Sequence, residues 1–261
     1  MTLSKGGSVQ VDHVYPGTST RTIAVNGEKI TALDCKGSNL TFLDVSKNSE
    51  LTYLDCSDNQ LRYLDVSNNA LLEVLWCNGN PLTNLNLSNN TLLKELYCYN
   101  NSLTKMDLST NRALVRLNCS QNQLTNLDLH TNTELNRMDC YENRLTSLDF
   151  TNNTKLNYAV CSDNWLTAEG LNALFATFYR GAAGKIFIGG NPGEKACDRG
   201  IAGSMGWKVS KLQEIVPEFG AVGLFFRGLA CCRRQQPSSL WLTLISNSFK
   251  CLKNRFIIVL G

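Results

Sequence analysis

Residues 51 to 61, Leu51-Thr-Tyr-Leu-Asp-Cys-Ser-Asp-Asn-Gln-Leu61, place apolar side chains at the first, fourth, sixth and eleventh positions, with polar residues at most others. The step of two between the fourth and sixth positions is the alternation of a strand with one buried face. The ten residues that follow, Arg62-Tyr-Leu-Asp-Val-Ser-Asn-Asn-Ala-Leu71, carry a second, weaker copy of the pattern. The unit recurs every 21 residues, starting at Ile30, Leu51, Leu72, Leu93, Leu114, Leu135 and Leu156, with Met138 in one leucine slot. Repetition of this kind predicts a stack of coils, each burying its apolar face against its neighbours.

The spacing L-x-x-L-x-C-x-x-N-x-L resembles the leucine-rich repeat, and the resemblance covers roughly residues 30 to 166. It implies an α/β leucine-rich-repeat solenoid, with a parallel β-sheet on the concave face and a C-terminal capping helix. The wording Leu-Asp-Cys-Ser-Asp-Asn-Gln-Leu followed by Leu-Asp-Val-Ser-Asn-Asn is closer to surface proteins of gut Bacteroidetes than to eukaryotic receptors. In residues 1–29, the stretch from His13 to Gly27 holds one alternating strand, Thr20 to Val25. It resembles the end of a polycystic-kidney-disease-type β-sandwich, so this flank is read as a sandwich remnant or N-cap. On that reading the chain is a fragment and its natural site is extracellular.

Each slot has a physical meaning. Cys35, Cys56, Cys77, Cys98, Cys119, Cys140 and Cys161 occupy the sixth position of successive coils. There a cysteine acts as a small, polarizable hydrophobe, and a buried ladder of free thiols is predicted. Parallel in-register side chains do not offer the dihedral of about 90° that a disulfide needs. Asn59, Asn80, Asn101, Asn122, Asn143 and Asn164, at the ninth position, sit where the chain leaves the strand, and their amides can satisfy buried backbone groups. The connector asparagines Asn48, Asn69, Asn90, Asn111, Asn132 and Asn153 are read the same way.

After Leu166 the period changes. Residues 167–210 are predicted to close the stack: Thr167 caps a helix that puts Leu171, Leu174, Phe175 and Phe178 on one face. Lys185 to Ile188 then form one more strand, and Ile201 and Trp207 cover the end. Residues 211–261 lack repeat spacing and are read as a tail foreign to the solenoid, non-native or out of frame. The functional alternative is a basic, apolar segment, 219–261, that touches a membrane surface.

Composition matters mainly through its distribution. The net charge of +3 conceals six Lys or Arg and no acidic residue from Phe219 to Gly261, which leaves residues 1–218 at −3. A repeat body without a basic stripe argues against nucleic acid as partner. No zinc spacing, apolar signal core or run of ~18 apolar residues is present. No cofactor and no catalytic residues are expected. His13 and His130 are the only histidines, and the ladder cysteines face inward. Asp44, Asp65, Asp107, Asp128 and Asp149 form an acidic row in the connectors. Asp followed two residues on by Ser or Thr is a local turn device, and that reading is preferred over calcium.

Candidate binding residues lie at the third, fifth and seventh positions, which should face outward from the sheet. Trp76 and Tyr97 share a slot in adjacent coils, beside Tyr99 and Tyr53, with Glu95, Arg116, Arg137 and Tyr141 near them. Trp, Tyr and Arg carry much of the energy at binding surfaces. Arg116 and Arg137 form a cationic edge that could meet a carboxylate. The function expected is capture of a protein ligand, a host or surface protein, without enzymatic activity. The alternative is a carbohydrate-binding module using Trp76, Tyr97 and Tyr99 as a platform. Sugar binding should survive high salt, whereas a protein that engages the arginines should weaken.

Overall fold

The computed structural model describes residues 7–12, 22–24, 30–181, 183–210 and 255–260, with side chains over 30–181 and 183–210. The described residues belong to one of two compact units; residues 212–253, the other unit, lie outside them.

Each coil contributes one short parallel strand. These are β3 (Ile30–Asp34), β5 (Tyr53–Asp55), β6 (Val74–Trp76), β7 (Glu95–Tyr97), β8 (Arg116–Asn118), β9 (Arg137–Asp139) and β10 (Tyr158–Val160). Two further strands extend the row, β11 (Lys185–Phe187) and β12 (Lys208–Ser210). At the other edge β13 (Arg255–Leu260) lies antiparallel between β3 and β1 (Gly7–Asp12), giving an eleven-stranded sheet. Register steps by one repeat at each pairing: Leu54 faces Leu75, which faces Leu96, then Leu117 and Met138. A second, two-stranded sheet pairs β2 (Thr22–Ala24) in parallel with β4 (Phe42–Asp44). The flank strand therefore runs in the direction of the first connector.

The core is one column. Leucines of the first, fourth and eleventh positions and the cysteines of the sixth are at most 1% exposed in every coil from Ile30 to Leu166. The seven ladder cysteines are free and buried. Burial pushes the thiols of Cys35, Cys56, Cys77, Cys98 and Cys119 well up, and that of Cys140 is raised by its hydrogen bond with Cys161 first and by burial second.

Two asparagine ladders tie coil to coil. Asn122 Oδ1 accepts the Leu103 N–H at 2.9 Å, and its Nδ2 donates to the carbonyls of Cys98, Cys119 and Ser120. Asn59 to Asn164 repeat this scheme, and Asn191 extends it to the next coil by accepting from Leu166 N. In the connectors Asn111 Nδ2 donates to the carbonyls of Leu87 and Asn90. Between the ladders, the eighth position is left-handed in every coil, from Gly37 (φ 63) through Asp58 (φ 55) and Glu142 (φ 53) to Asp163 (φ 54). Gly, Asn or Asp, the residues that tolerate this conformation best, fill it in five of the seven coils.

The stack closes with α1 (Ala168–Ala176), whose N-cap Thr167 accepts from Gly170 N. Leu171, Leu174 and Phe175 are buried on the helix, and Phe178, just beyond it, stacks on Trp207 at 4.2 Å. A short second helix, α2 (Arg199–Ser204), capped by Asp198, has no counterpart in the sequence pattern. Six residues with two glycines show no readable helical period. Of the tail 211–261, only Arg255–Leu260 is described, as β13; the membrane reading of 219–261 otherwise falls outside the described residues. Among the described residues no helix is long and apolar enough to cross a membrane.

Candidate functional site

The register that stacks the leucines also stacks what lies on the opposite face. At the fifth position Asp34, Asp55, Trp76, Tyr97, Asn118 and Asp139 are consecutive cross-strand neighbours. At the third, the row runs Ala32, Tyr53, Val74, Glu95, Arg116, Arg137 and Tyr158. Strand spacing of about 4.8 Å suits ring stacking between such neighbours. The Trp76 and Tyr97 rings lie 5.4 Å apart and nearly parallel, at 11°. The Tyr53 and Trp76 rings meet T-shaped, at 5.6 Å and 68°. The three rings form one continuous aromatic surface, each partly exposed.

Tyr99 and Tyr141 sit two residues further on, at the seventh position, and are half-buried. Burial is the main cause that pushes the Tyr99 hydroxyl up to about 12, with Asp58, Tyr141 and Asp55 contributing. The Tyr53 hydroxyl is raised too, by burial first and then by the carboxylates of Asp55, Asp34 and Glu95.

The arginines are engaged within the chain. Arg116 Nη1 pairs with Glu95 Oε1 at 2.8 Å. Arg137 lays its guanidinium over the Tyr158 ring at 4.0 Å, with Nε 3.9 Å from Asp139 Oδ2. Asp139 is 4% exposed, and burial outweighs the attraction of Arg137, raising its carboxyl to about 7.

One expectation needs correction. The fifth and seventh positions were to face solvent, yet Asp55, Ser57, Asn78, Asn118, Ser120, Asp139 and Ser162 are all buried. Small side chains on a tightly stacked sheet are covered by larger neighbours, and they satisfy one another instead. Asp55 Oδ1 accepts from Ser57 N and Oγ, and Asn118 Oδ1 accepts the same two bonds from Ser120. The Asp-x-Ser and Asn-x-Ser spacing was the available signal for this pairing.

On the connector side, the aspartates of the acidic row each accept the N–H two residues on, as Asp44 does from Ser46 and Asp128 from His130. For Asp44, Asp65, Asp107 and Asp149 hydrogen bonds from the hydroxyl, and then from the N–H, of the Ser or Thr two residues on hold the carboxyl below its usual range. His130 lies in a cleft of about 390 Å³ between the connectors of two coils, where Asn152 Nδ2 reaches its Nδ1 at 2.9 Å. Among the described residues no three His, Cys, Asp or Glu side chains come together as a metal centre would require.

A stack of 21-residue coils with parallel strands, a leucine core and asparagine ladders is a leucine-rich-repeat solenoid, and solved structures bear this out. The chain is similar to a leucine-rich-repeat protein of Leptospira interrogans (20% identity, TM-score 0.59, 69% of this chain and 48% of that one). It is also similar to internalin C2 of Listeria monocytogenes (20% identity, TM-score 0.57, 69% and 80%). The functional domain of InlJ from Listeria monocytogenes, described as including a cysteine ladder, matches at 37% identity and TM-score 0.47, over 60% of this chain and 39% of that one. The chain thus spans less than half of the InlJ and Leptospira proteins. No protein-family model matches the sequence, and neither does any curated protein.

Proposed function

We propose that this chain is a non-enzymatic protein-binding module, secreted or displayed on a bacterial cell surface, that captures a protein ligand on the concave face of its sheet. The observation that carries the reading is the continuous Tyr53, Trp76 and Tyr97 surface at the centre of that face, flanked by Glu95 and Arg116. Stacked, partly exposed aromatic rings on a rigid sheet bury large area with little further loss of entropy. Chemistry is disfavoured for a physical reason: the ladder cysteines are buried, and burial pushes the thiols of Cys35, Cys56, Cys77, Cys98 and Cys119 well up, so these supply little thiolate at neutral pH. The bacterial proteins of similar fold share the scaffold on which this face is built.

The test presents the full chain to panels of extracellular proteins and of polysaccharides, beside a Trp76→Ala, Tyr97→Ala double variant. A captured protein whose affinity falls at least tenfold in the variant is the expected result. Capture of glycans alone would replace the reading with a carbohydrate-binding module. Protein binding that ignores both substitutions would remove the site from this face.

A further inference from the structure

We infer that the aromatic surface is one wall of a subsite for a lysine or arginine side chain, with Asp34 and Asp55 as its anionic floor. The inference rests on the protein-binding reading and names the chemistry of the partner.

The charges of this face do not balance evenly. Lys36 is paired with Asp58 at 3.4 Å and Arg116 with Glu95 at 2.8 Å. Asp34 and Asp55 are direct cross-strand neighbours, and neither is in an ion pair among the described residues, although Lys36, held by Asp58, also acts on Asp55. Like charges facing each other across a sheet destabilise it, so a ligand cation placed beside them gains from both. Asp55 is only 2% exposed. Its Oδ1 is taken by Ser57, while Oδ2 accepts no hydrogen bond among the described residues. Trp76 is the next residue in the same row, and Tyr53 packs T-shaped with it. By register Asp55 lies directly between Asp34 and Trp76, and Glu95 is two residues from Tyr97 on the following strand. Ring faces beside carboxylates are the arrangement that attracts ammonium and guanidinium groups, through the aromatic quadrupole and by direct attraction.

A neutral replacement can be made without disturbing the slot. Asn118 occupies the position of Asp55 three coils on and makes the same two bonds, to its own serine at 3.1 and 2.6 Å. The Asp34→Asn, Asp55→Asn double variant should therefore keep the fold, which its urea midpoint checks.

The experiment uses the full chain labelled with nitrogen-15 and three probes: N-acetyl-lysine amide, N-acetyl-arginine amide and the neutral N-acetyl-glutamine amide. The readout is the indole N–H signal of Trp76, assigned with Trp76→Phe. At least one cationic probe should shift the signal saturably, at least about fivefold more tightly than the glutamine probe. The double Asn variant should weaken that binding about tenfold. Equal response to the neutral probe, no saturable shift, or indifference to the double variant would overturn the inference. If a protein is captured and lost with Trp76 and Tyr97 while the cationic probes do nothing, protein binding stands and the cation subsite falls. If the probes bind as described and the panel captures no protein, the subsite stands and the protein-binding reading fails.

Discussion

Replacing Asn122 by alanine should cost about 3 kcal/mol of stability, whereas the same change at Asn111 should cost about 1 kcal/mol, although both amides are buried. The difference lies in what each leaves behind. Asn122 Oδ1 is the partner of the Leu103 N–H, which no other acceptor bonds. Its three carbonyl acceptors keep second donors: Cys98 retains Asn101, Cys119 retains Asn143, and Ser120 retains the N–H of Asn100. Alanine therefore orphans one buried donor, at about 1–3 kcal/mol, and removes two further donor hydrogens at a smaller cost. Asn111 gives its Nδ2 to Leu87 and Asn90, whose carbonyls also bond the N–H groups of Asn90 and Leu93. Its own Oδ1 is buried without a partner, so alanine relieves one unsatisfied atom as it removes two bonds. Urea unfolding followed by circular dichroism measures both, and hydrogen exchange at Leu103 should accelerate selectively in the Asn122 variant. Equal losses, or a larger loss at Asn111, would refute the reasoning.

Three further outcomes follow from the same structure. Gly79→Ala should destabilise by about 1–2 kcal/mol in urea, because φ is +66° and the new Cβ would meet Asp58 Oδ1 at 2.4 Å, while Gly203→Ala, in open space on α2, should be neutral or stabilising. The Asp139 carboxyl is raised in the fold to about 7, against roughly 3.9 in the unfolded chain, so the folded protein holds the extra proton and stability falls as pH rises through that window. Asp139→Asn should match the parent near pH 4 and exceed it above pH 7, by up to about 4 kcal/mol; urea midpoints that stay parallel across pH would contradict the assignment. Iodoacetamide at pH 8, followed by peptide mapping, should leave the seven ladder cysteines unmodified in the native protein and alkylate them in denaturant. Rapid native labelling of any rung would show that the ladder is not closed.

Much of the scaffold could be read directly from the repeat. A leucine or cysteine recurring every 21 residues has few packings open to it, so period, strand direction, ladder burial and the capping role of Thr167 follow from local pattern alone. The helix α2 did not, because Arg-Gly-Ile-Ala-Gly-Ser is too short to declare a period and is held by its place against the end of the stack. Strand β13 was equally hidden, since its pairing with β1 and β3 joins residues more than two hundred apart.

The candidate site divides along the same line. By itself the sequence determined which residues share a row, since register repeats with the period and sets Trp76 beside Tyr97. Only the tertiary structure decided their environment. It packed Tyr53 T-shaped with Trp76, closed Arg116 onto Glu95, laid Arg137 over Tyr158, and buried Asp55 and Asp139 on a face expected to be wet. Period is a property of the chain and needs only its own alternation, whereas burial and charge pairing depend on the sizes of side chains in neighbouring coils, which meet only once the stack has formed.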